Sequence, residues 1–325
     1  MTSIDLSGCT SLTEIVDGFS GCTGLTEVKL PASLTEIGGF SGCTGLTSID
    51  LSGCTSLTKI EKYAFSGCTG LTEVKLPASL TEIGKFAFRG CKRLTSIDLS
   101  GCTSLIKIGR EAFSGCTGLT EVKLPASLTG IGELAFHGCT SLTSIDLSGC
   151  TNLTEIGTMA FEGCTGLASI DLSACTSLTE IGERAFKDCS KLTGTIVFPA
   201  SLKTIKTHNY NNYPDNFVGA FEGCTKLQGA DFSACTNFTK IENSTFKNCW
   251  RLTEVKLPAS LTEIGKEAFK DCVNLTSAVF ADKNNWKAGS TPIDPSDLDN
   301  AATAAKYLRE KTDNGGYSDK YWKKN

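Results

Sequence analysis

The residues of this 325-residue chain best suited to chemistry are seventeen cysteines and two histidines, His137 and His208. Thiolates act as nucleophiles, metal ligands or disulfide partners, and their spacing discriminates among these roles. From Cys43 to Cys164 the successive spacings run 11, 14, 23, 11, 14, 23, 11, 14. Seventeen cysteines cannot all pair within one chain, and no C-x2-C pair offers two ligands to one metal ion. Each cysteine instead holds its own place in a repeating unit, so the expectation is rows of small buried hydrophobes with weak S–H donors. No metal and no cofactor is expected. His137 sits in A-F-H-G-C, a slot filled elsewhere by Ser, Arg, Glu or Lys, and reads as exposed. Neither histidine has a nucleophile motif beside it, as a catalytic triad would need. Phosphate-loop and dinucleotide glycine fingerprints are absent. Acidic residues recur unit after unit, which marks surface and not a unique pair of catalytic carboxylates. An enzyme, such as a glycan hydrolase, is therefore disfavoured.

What positions these residues is a 48-residue repeat made of one 25-residue and one 23-residue coil. Eleven to twelve coils fit the chain, beginning at positions such as Leu25, Leu46, Leu71, Leu94 and Leu119. Each opens with L-x-x-I/V-x-L, the period-two sign of a short strand. Ser-Gly-Cys follows in long coils. In short coils the strand runs directly into Pro31, Pro77, Pro125, Pro199 or Pro258, where a residue without an N–H must end it. L-x-x-I-G then gives a second apolar pair, and x-x-A-F-x-x-C predicts a single helical or 3-10 turn. One coil cannot bury its own apolar face, whereas stacked coils can.

The series Leu94-x-x-Ile97-x-Leu99-x-x-Cys102-x-x-Leu105 resembles a leucine-rich repeat with Cys in the usual Asn position. The trailing Ile108-Gly-x-x-Ala-Phe113-x-x-Cys116 is similar to the BspA-type, or Treponema-type, bacterial repeat. The resemblance covers residues 1 to about 280. It implies an α/β leucine-rich-repeat solenoid with a parallel sheet on the concave face and short turns on the convex face. It further implies a bacterial cell-surface or secreted protein that binds host matrix proteins or other cells, although no signal peptide is visible in the chain. A spacer presenting another domain is the alternative, on a chain read as a possible fragment.

Stacking turns every repeated residue into a row. Phe19, Phe40, Phe65, Phe88, Phe113, Phe136, Phe161, Phe186, Phe221, Phe246 and Phe269 should form a packed aromatic spine. Eleven cysteines precede a strand and six follow one. On the outer face of the sheet one row reads Asp5, Lys29, Asp50, Lys75, Asp98, Lys123, Asp146, Asp171. Unlike charges on neighbouring strands favour pairing and penalise a slip by one coil. A second row alternates Glu27, Ser48, Glu73, Ser96, Glu121, Ser144, Ser169. A self-neutralised face and a net charge of −4 disfavour nucleic acid as a partner. No run of eighteen apolar residues is present, so no membrane-spanning segment is expected.

Three departures from the repeat stand out. The first coils are shortened: Cys9 and Cys22 stand 13 apart, Cys22 and Cys43 stand 21 apart, and Ile37-Gly-Gly-Phe40 lacks the usual approach to Phe. Between Cys189 and Cys224 the spacing grows to 35: one extra residue in the strand after Leu192 reads as a bulge, and eleven fall near 206–218. This insertion is rich in Asn and Tyr, adaptable contact residues, and is either a tolerated surface loop or a recognition loop. His208, Tyr210, Asn211, Asn212, Tyr213 and Asp215, with Asp146 and Asp171 where the charge alternation fails, are the candidate ligand-binding residues for a protein partner. Repeat signals vanish after Phe280. Residues 281–325 read as a capping segment with one helix that starts at Asp294-Pro295, continues through 301–311 and stops at Asn314-Gly315-Gly316.

Overall fold

A computed structural model describes residues 1–209 and 217–324. The chain divides into two compact units, Met1–Leu153 with Gly163–Leu167, and Thr154–Glu162 with Ala168–Asn325.

In the first unit each coil contributes a three-residue strand that pairs in parallel with its neighbour. Ser96–Asp98, Glu121–Lys123 and Ser144–Asp146 form one such group, in register Ile97 to Val122 to Ile145. Ser3–Asp5 pairs with Glu27–Lys29, and Ser48–Asp50 with Glu73–Lys75. The middle residue points inward and is buried from Val28 onward, while its two neighbours face solvent. Burying one such Val or Ile is worth roughly 1.5–3 kcal/mol, and the coils add this unit by unit.

L-x-x-I-G forms a second parallel ladder of two-residue strands, where the repeat pattern shows only an apolar pair. It runs Glu14–Ile15, Glu36–Ile37, Lys59–Ile60, Glu82–Ile83, Lys107–Ile108, Gly130–Ile131. Threonine hydroxyls rivet these rows: Thr81 Oγ1 donates to Thr58 O at 2.9 Å and Thr72 Oγ1 to Thr47 O at 2.9 Å.

The x-x-A-F-x-x-C segment does not form the continuous helical turn expected. Discrete turn bonds, Ala64 N–H to Glu61 O and Ser66 N–H to Tyr63 O, alternate with bonds to the next coil, Tyr63 N–H to Lys85 O and Phe65 N–H to Ala87 O. A left-handed residue makes this alternation possible: Tyr63 has φ 59°, Phe86 61°, Glu111 54° and Leu134 57°. Such a residue breaks a helical run, so half the N–H groups turn outward along the stack. Helices among the described residues lie only beyond Phe280.

The aromatic spine is present. Successive rings stack at 5.0 Å for Phe19–Phe40, 5.6 Å for Phe40–Phe65 and 5.2 Å for Phe88–Phe113. The cysteine rows are present as well, with free thiols, buried except for exposed Cys9 and half-buried Cys22. From Cys43 onward each thiol that precedes a strand reaches back one coil: Cys68 Sγ lies 3.0 Å from Phe40 O and Cys116 Sγ 3.1 Å from Phe88 O. In the other row Cys102, Cys150 and Cys235 meet a proline carbonyl, Cys102 Sγ with Pro77 O at 3.5 Å. Burial pushes the Cys68 thiol up to about 12 and Cys102 up to about 11.

In the second unit the same elements recur. Glu155–Ile156, Glu180–Ile181 and Thr204–Ile205 pair in parallel, as do Lys240–Ile241 and Glu263–Ile264. The bulge after Leu192 is present: Thr193 N–H bonds Ala168 O, while Gly194, at φ 75°, accepts from both Gln228 and Gly229. Two residues thus share a position that one threonine fills elsewhere.

Beyond Phe280 the chain forms more than one helix. Helix α1, Pro295–Asp299, is capped by Asp294, and helix α2, Ala301–Arg309, by Asn300, whose side chain accepts from Ala302 and Thr303 N–H. Asn300 is extended, which splits the single helix expected. Helix α2 packs against Ser277–Phe280, and Arg309 reaches Leu275 O. Trp322–Lys324 pairs antiparallel with Glu263–Ile264 and with Trp286–Ala288, so it closes the second ladder. Trp286 and Trp322 are buried there, and each indole N–H finds a carbonyl.

Candidate functional site

In a repeat protein, the informative surface positions are those where one coil differs from its neighbours. The first ladder of the second unit shows this most clearly. Its strands are Thr195–Val197, Gly229–Asp231, Glu254–Leu257 and Ser277–Phe280, parallel and in register. The outer row that alternates Glu and Ser in the first unit here reads Thr195, Gly229, Glu254, Ser277. Glycine at 229 removes one side chain, and the Thr195 side chain occupies the space a Cβ there would need. The adjacent outer row reads Val197, Asp231, Lys256, Val279, with both valines exposed at its ends.

Beside these strands lies a groove of about 670 Å³ lined by Thr195, Gln228, Arg251, Thr253, Glu254, Asn274 and Thr276. Trp250 and Val273, in a slot held by threonine in most coils, are 54% and 64% exposed. They sit next in sequence to Arg251 and Asn274, and Asn274 Nδ2 donates to Trp250 O at 2.6 Å. Lys256 Nζ lies 3.0 Å from Asp231 and 3.9 Å from Glu254. Burial raises the Asp231 carboxyl, but hydrogen bonds from Ser233 and Lys256 outweigh it and hold the group below its ordinary value. The groove presents amides, hydroxyls, one guanidinium and one carboxylate, and its lining includes no thiol or imidazole. Such a surface can bind a polar chain with an apolar anchor. It has no nucleophile paired with a base.

The sequence-derived candidates are distributed over the fold. Asp146 lies in the first unit, in register with Lys123, and its Oδ1 accepts from Ser148 N–H at 2.9 Å. Asp171 lies in the second unit and accepts from Ser173 N–H at 2.9 Å. Asp50, Asp98 and Asp231 make the same bond to the serine two residues on. These aspartates therefore shape the turn after the strand, an Asx-turn role that charge alternation alone did not reveal. Hydrogen bonds from that serine hold Asp50, Asp98, Asp146 and Asp171 below the usual carboxylate range. The expected cross-strand pairs also occur, Asp50 with Lys75 at 3.7 Å and Asp98 with Lys123 at 3.6 Å. Exposed as they are, each is worth at most about 1 kcal/mol.

His208 begins a two-residue strand, His208–Asn209, antiparallel to Phe217–Val218, so the insertion has a hairpin stem. Tyr210, Asn211, Asn212, Tyr213 and Asp215 lie outside the described residues. Phe217 lines a separate cavity of about 430 Å³ with Ser244, Lys266, Glu267, Lys311 and Asp319, none of which belongs to the first ladder. Asp171 is not among the residues that line this cavity. His137 is half-buried, less open than its slot suggested. Among the described residues no cluster of three His, Cys, Asp or Glu could hold a metal ion. No described helix is long and apolar enough to cross a membrane.

Gly229, Gln228, Trp250, Arg251 and Asn274 are the residues that sequence reasoning passed over. Their signal was available as single departures from the coil consensus. It was hidden because Trp and Gly at one position each look like drift when a coil is read alone.

The family model for the BspA type Leucine rich repeat region matches residues 1–106, 100–215 and 218–289. Among solved structures, the chain is similar to the leucine-rich repeat protein of T. pallidum at 28% identity, over 60% of this chain and 82% of that one, with a TM-score of 0.46. A leucine-rich repeat protein from Bacteroides ovatus is 28% identical over 82% of each chain, with a TM-score of 0.38. A leucine rich cell surface protein from Faecalibacterium prausnitzii is 23% identical over 90% of this chain and 86% of that one, with a TM-score of 0.37. No curated protein matches the chain.

Proposed function

The chain belongs to the BspA-type leucine-rich-repeat family, and from that premise we propose that it is a non-catalytic interaction module that contacts a protein partner through the first-ladder face of its second unit. The observation that carries this is the groove lined by Gln228, Arg251 and Asn274, with exposed Trp250 next in sequence to Arg251 and bonded through its carbonyl to Asn274. Interface hot spots are enriched in Trp and Arg, and a recess beside such an anchor lets a partner side chain leave water. The finer reading is a cell-surface adhesin that engages host matrix proteins or other cells. Residues 1–280 supply the binding solenoid in this reading, and residues 281–325 cap its end. The inserted loop, with His208, Tyr210, Asn211, Asn212, Tyr213 and Asp215, is a second contact region in this reading, and Asp146 and Asp171 are further candidate contacts.

The test restores the repeat. Trp250→Thr puts the common coil residue at that position, Arg251→Ser puts the residue that stands at the equivalent position 141, and the double variant should leave the melting transition in place. Binding to immobilised fibronectin, laminin and collagen is compared by surface plasmon resonance. Loss of a hot-spot pair worth about 2 kcal/mol weakens binding roughly 30-fold. Unchanged affinity in the double variant would refute the groove. A wild-type chain that binds nothing in the panel would remove the matrix-adhesin reading.

A further inference from the structure

A second place where neighbouring coils depart from the repeat lies in the first unit, on the other ladder. The position before each second-ladder strand is a threonine in most coils: Thr13, Thr35, Thr58, Thr81 and Thr129. In one coil it is Ile106, 52% exposed. The next position is Glu or Lys in neighbouring strands, Glu14, Glu36, Lys59, Glu82 and Lys107, but becomes Gly130 one coil further on. A Cβ at 130 would meet only the Lys107 side chain at 3.9 Å, so nothing in the fold requires glycine there. One coil adds an exposed apolar group and the next deletes a charged one, at adjacent positions.

Ile106 lines a cavity of about 520 Å³ with Thr81, Ile83, Ile108, Gly109 and Gly132, and Gly130 lies two residues before the last of these. Its floor is aliphatic and backbone. Its rim carries three cations, Lys85, Lys107 and Arg110, against the single carboxylate Glu82. Arg110 is shared between Glu111 and Glu133 at 3.4 Å each. Lys85 and Lys107 have no carboxylate within ion-pair distance among the described residues, although Lys107 is in register with Glu82. A regular ladder would place an acid opposite Lys107 at position 130 as well, and glycine removes it.

We infer that this notch is a docking site for an acidic peptide segment that inserts one aliphatic side chain against Ile106, with its carboxylates toward Lys85 and Lys107. Charge complementarity selects this occupant over a basic or neutral one. A desolvated apolar anchor within a ring of matching charge is the arrangement that combines affinity with fast association. The site is separate from the groove of the second unit and does not depend on it.

The experiment uses the full chain with isoleucine methyl groups labelled for NMR. The probe is the acetylated, amidated peptide Glu-Asp-Leu-Glu-Asp, with Glu-Asp-Gly-Glu-Asp and Lys-Lys-Leu-Lys-Lys as comparisons. The leucine-bearing acidic probe should shift the methyl signals of Ile106, Ile83 and Ile108 saturably, and the other two should not. Ile106→Thr and Gly130→Glu each restore the common coil residue, so both should fold. Ile106→Thr should weaken the probe about tenfold by loss of apolar contact, and Gly130→Glu by a comparable factor through repulsion. Equal binding of the lysine peptide, equal binding of the glycine peptide, or undiminished binding in both variants would each overturn the proposal. W250T/R251S serves as the control: it should leave the probe titration unchanged, which separates this site from the groove.

Discussion

The cysteine rows allow one prediction to be worked through in numbers. Fifteen of the seventeen thiols are buried, and only Cys9 and Cys22 are reachable. Reaction with a disulfide reagent proceeds through the thiolate. An ordinary thiol, with a pKa of about 8.5, is roughly one quarter thiolate at pH 8. Burial pushes Cys68, Cys164 and Cys235 up to about 12. Such a group is ionised to about one part in ten thousand at pH 8, so ionisation alone slows it roughly 2,000-fold, before any steric barrier. Reaction of the reduced native protein with an aromatic disulfide reagent at pH 8 should therefore show two fast equivalents. The remaining thiols should react only as the protein opens, and addition of urea should release seventeen in total. Cys9→Ser with Cys22→Ser should abolish the fast phase and leave the slow one. Five or more fast thiols in the native protein would refute the argument that these rows are core. A denatured count well below seventeen would show disulfides where the structure has free thiols.

Phe113 lies between Phe88 at 5.2 Å and Phe136 at 5.4 Å and is fully buried, so Phe113→Ala should cost about 3–5 kcal/mol in urea unfolding. A loss below about 1.5 kcal/mol would mean the spine is not tightly packed. Gly84 has no room for a side chain, since a Cβ would lie 2.7 Å from Ile60 O and 2.8 Å from Glu61 C. Gly84→Ala should lower the melting temperature clearly, whereas alanine at the open position Gly53 should not. Burial raises the Glu222 carboxyl, against the pull of the Gly219 N–H and of Lys247 and Lys187. A raised folded-state value means the stability tied to this group is present at low pH and is lost as pH rises through that value. Glu222→Gln should therefore gain on the wild type between pH 4 and pH 7, as judged by urea midpoints. The opposite trend would show that the lysine pairs outweigh burial.

Much of the fold was legible because a repeat states each rule many times. The Leu and Ile positions, the prolines after short strands and the phenylalanine row could each be checked against their own copies. The second ladder was not legible, because a two-residue strand shows no alternation and its pairing partners lie a whole coil away in sequence. The left-handed residues were hidden as well: Tyr63, Glu111 and Leu134 share a conformation but no side-chain chemistry. Backbone bonds to the next coil, not side-chain type, hold them there. The aspartates were read through their charge, while their shorter reach, to Ser52 or Ser100, sets the turn. Asn300 reads as part of a helix until its side chain is seen to start a new one. The two candidate recesses eluded a consensus reading because each is made by exceptions to it.

The backward reach of each thiol has a consequence for how such a chain can grow. Cys116 needs only the Phe88 carbonyl of the coil before it, and Cys102 only that of Pro77. A short coil offers the proline carbonyl and the long coil after it brings the thiol. The interchangeable part is therefore the pair and not the single coil. Gene duplication in steps of one long-and-short pair would lengthen this protein with every donor and acceptor still matched. A step of one coil sets two of a kind side by side, as the long coils from Leu142 and Leu167 stand here, and no short-coil proline then precedes Cys175.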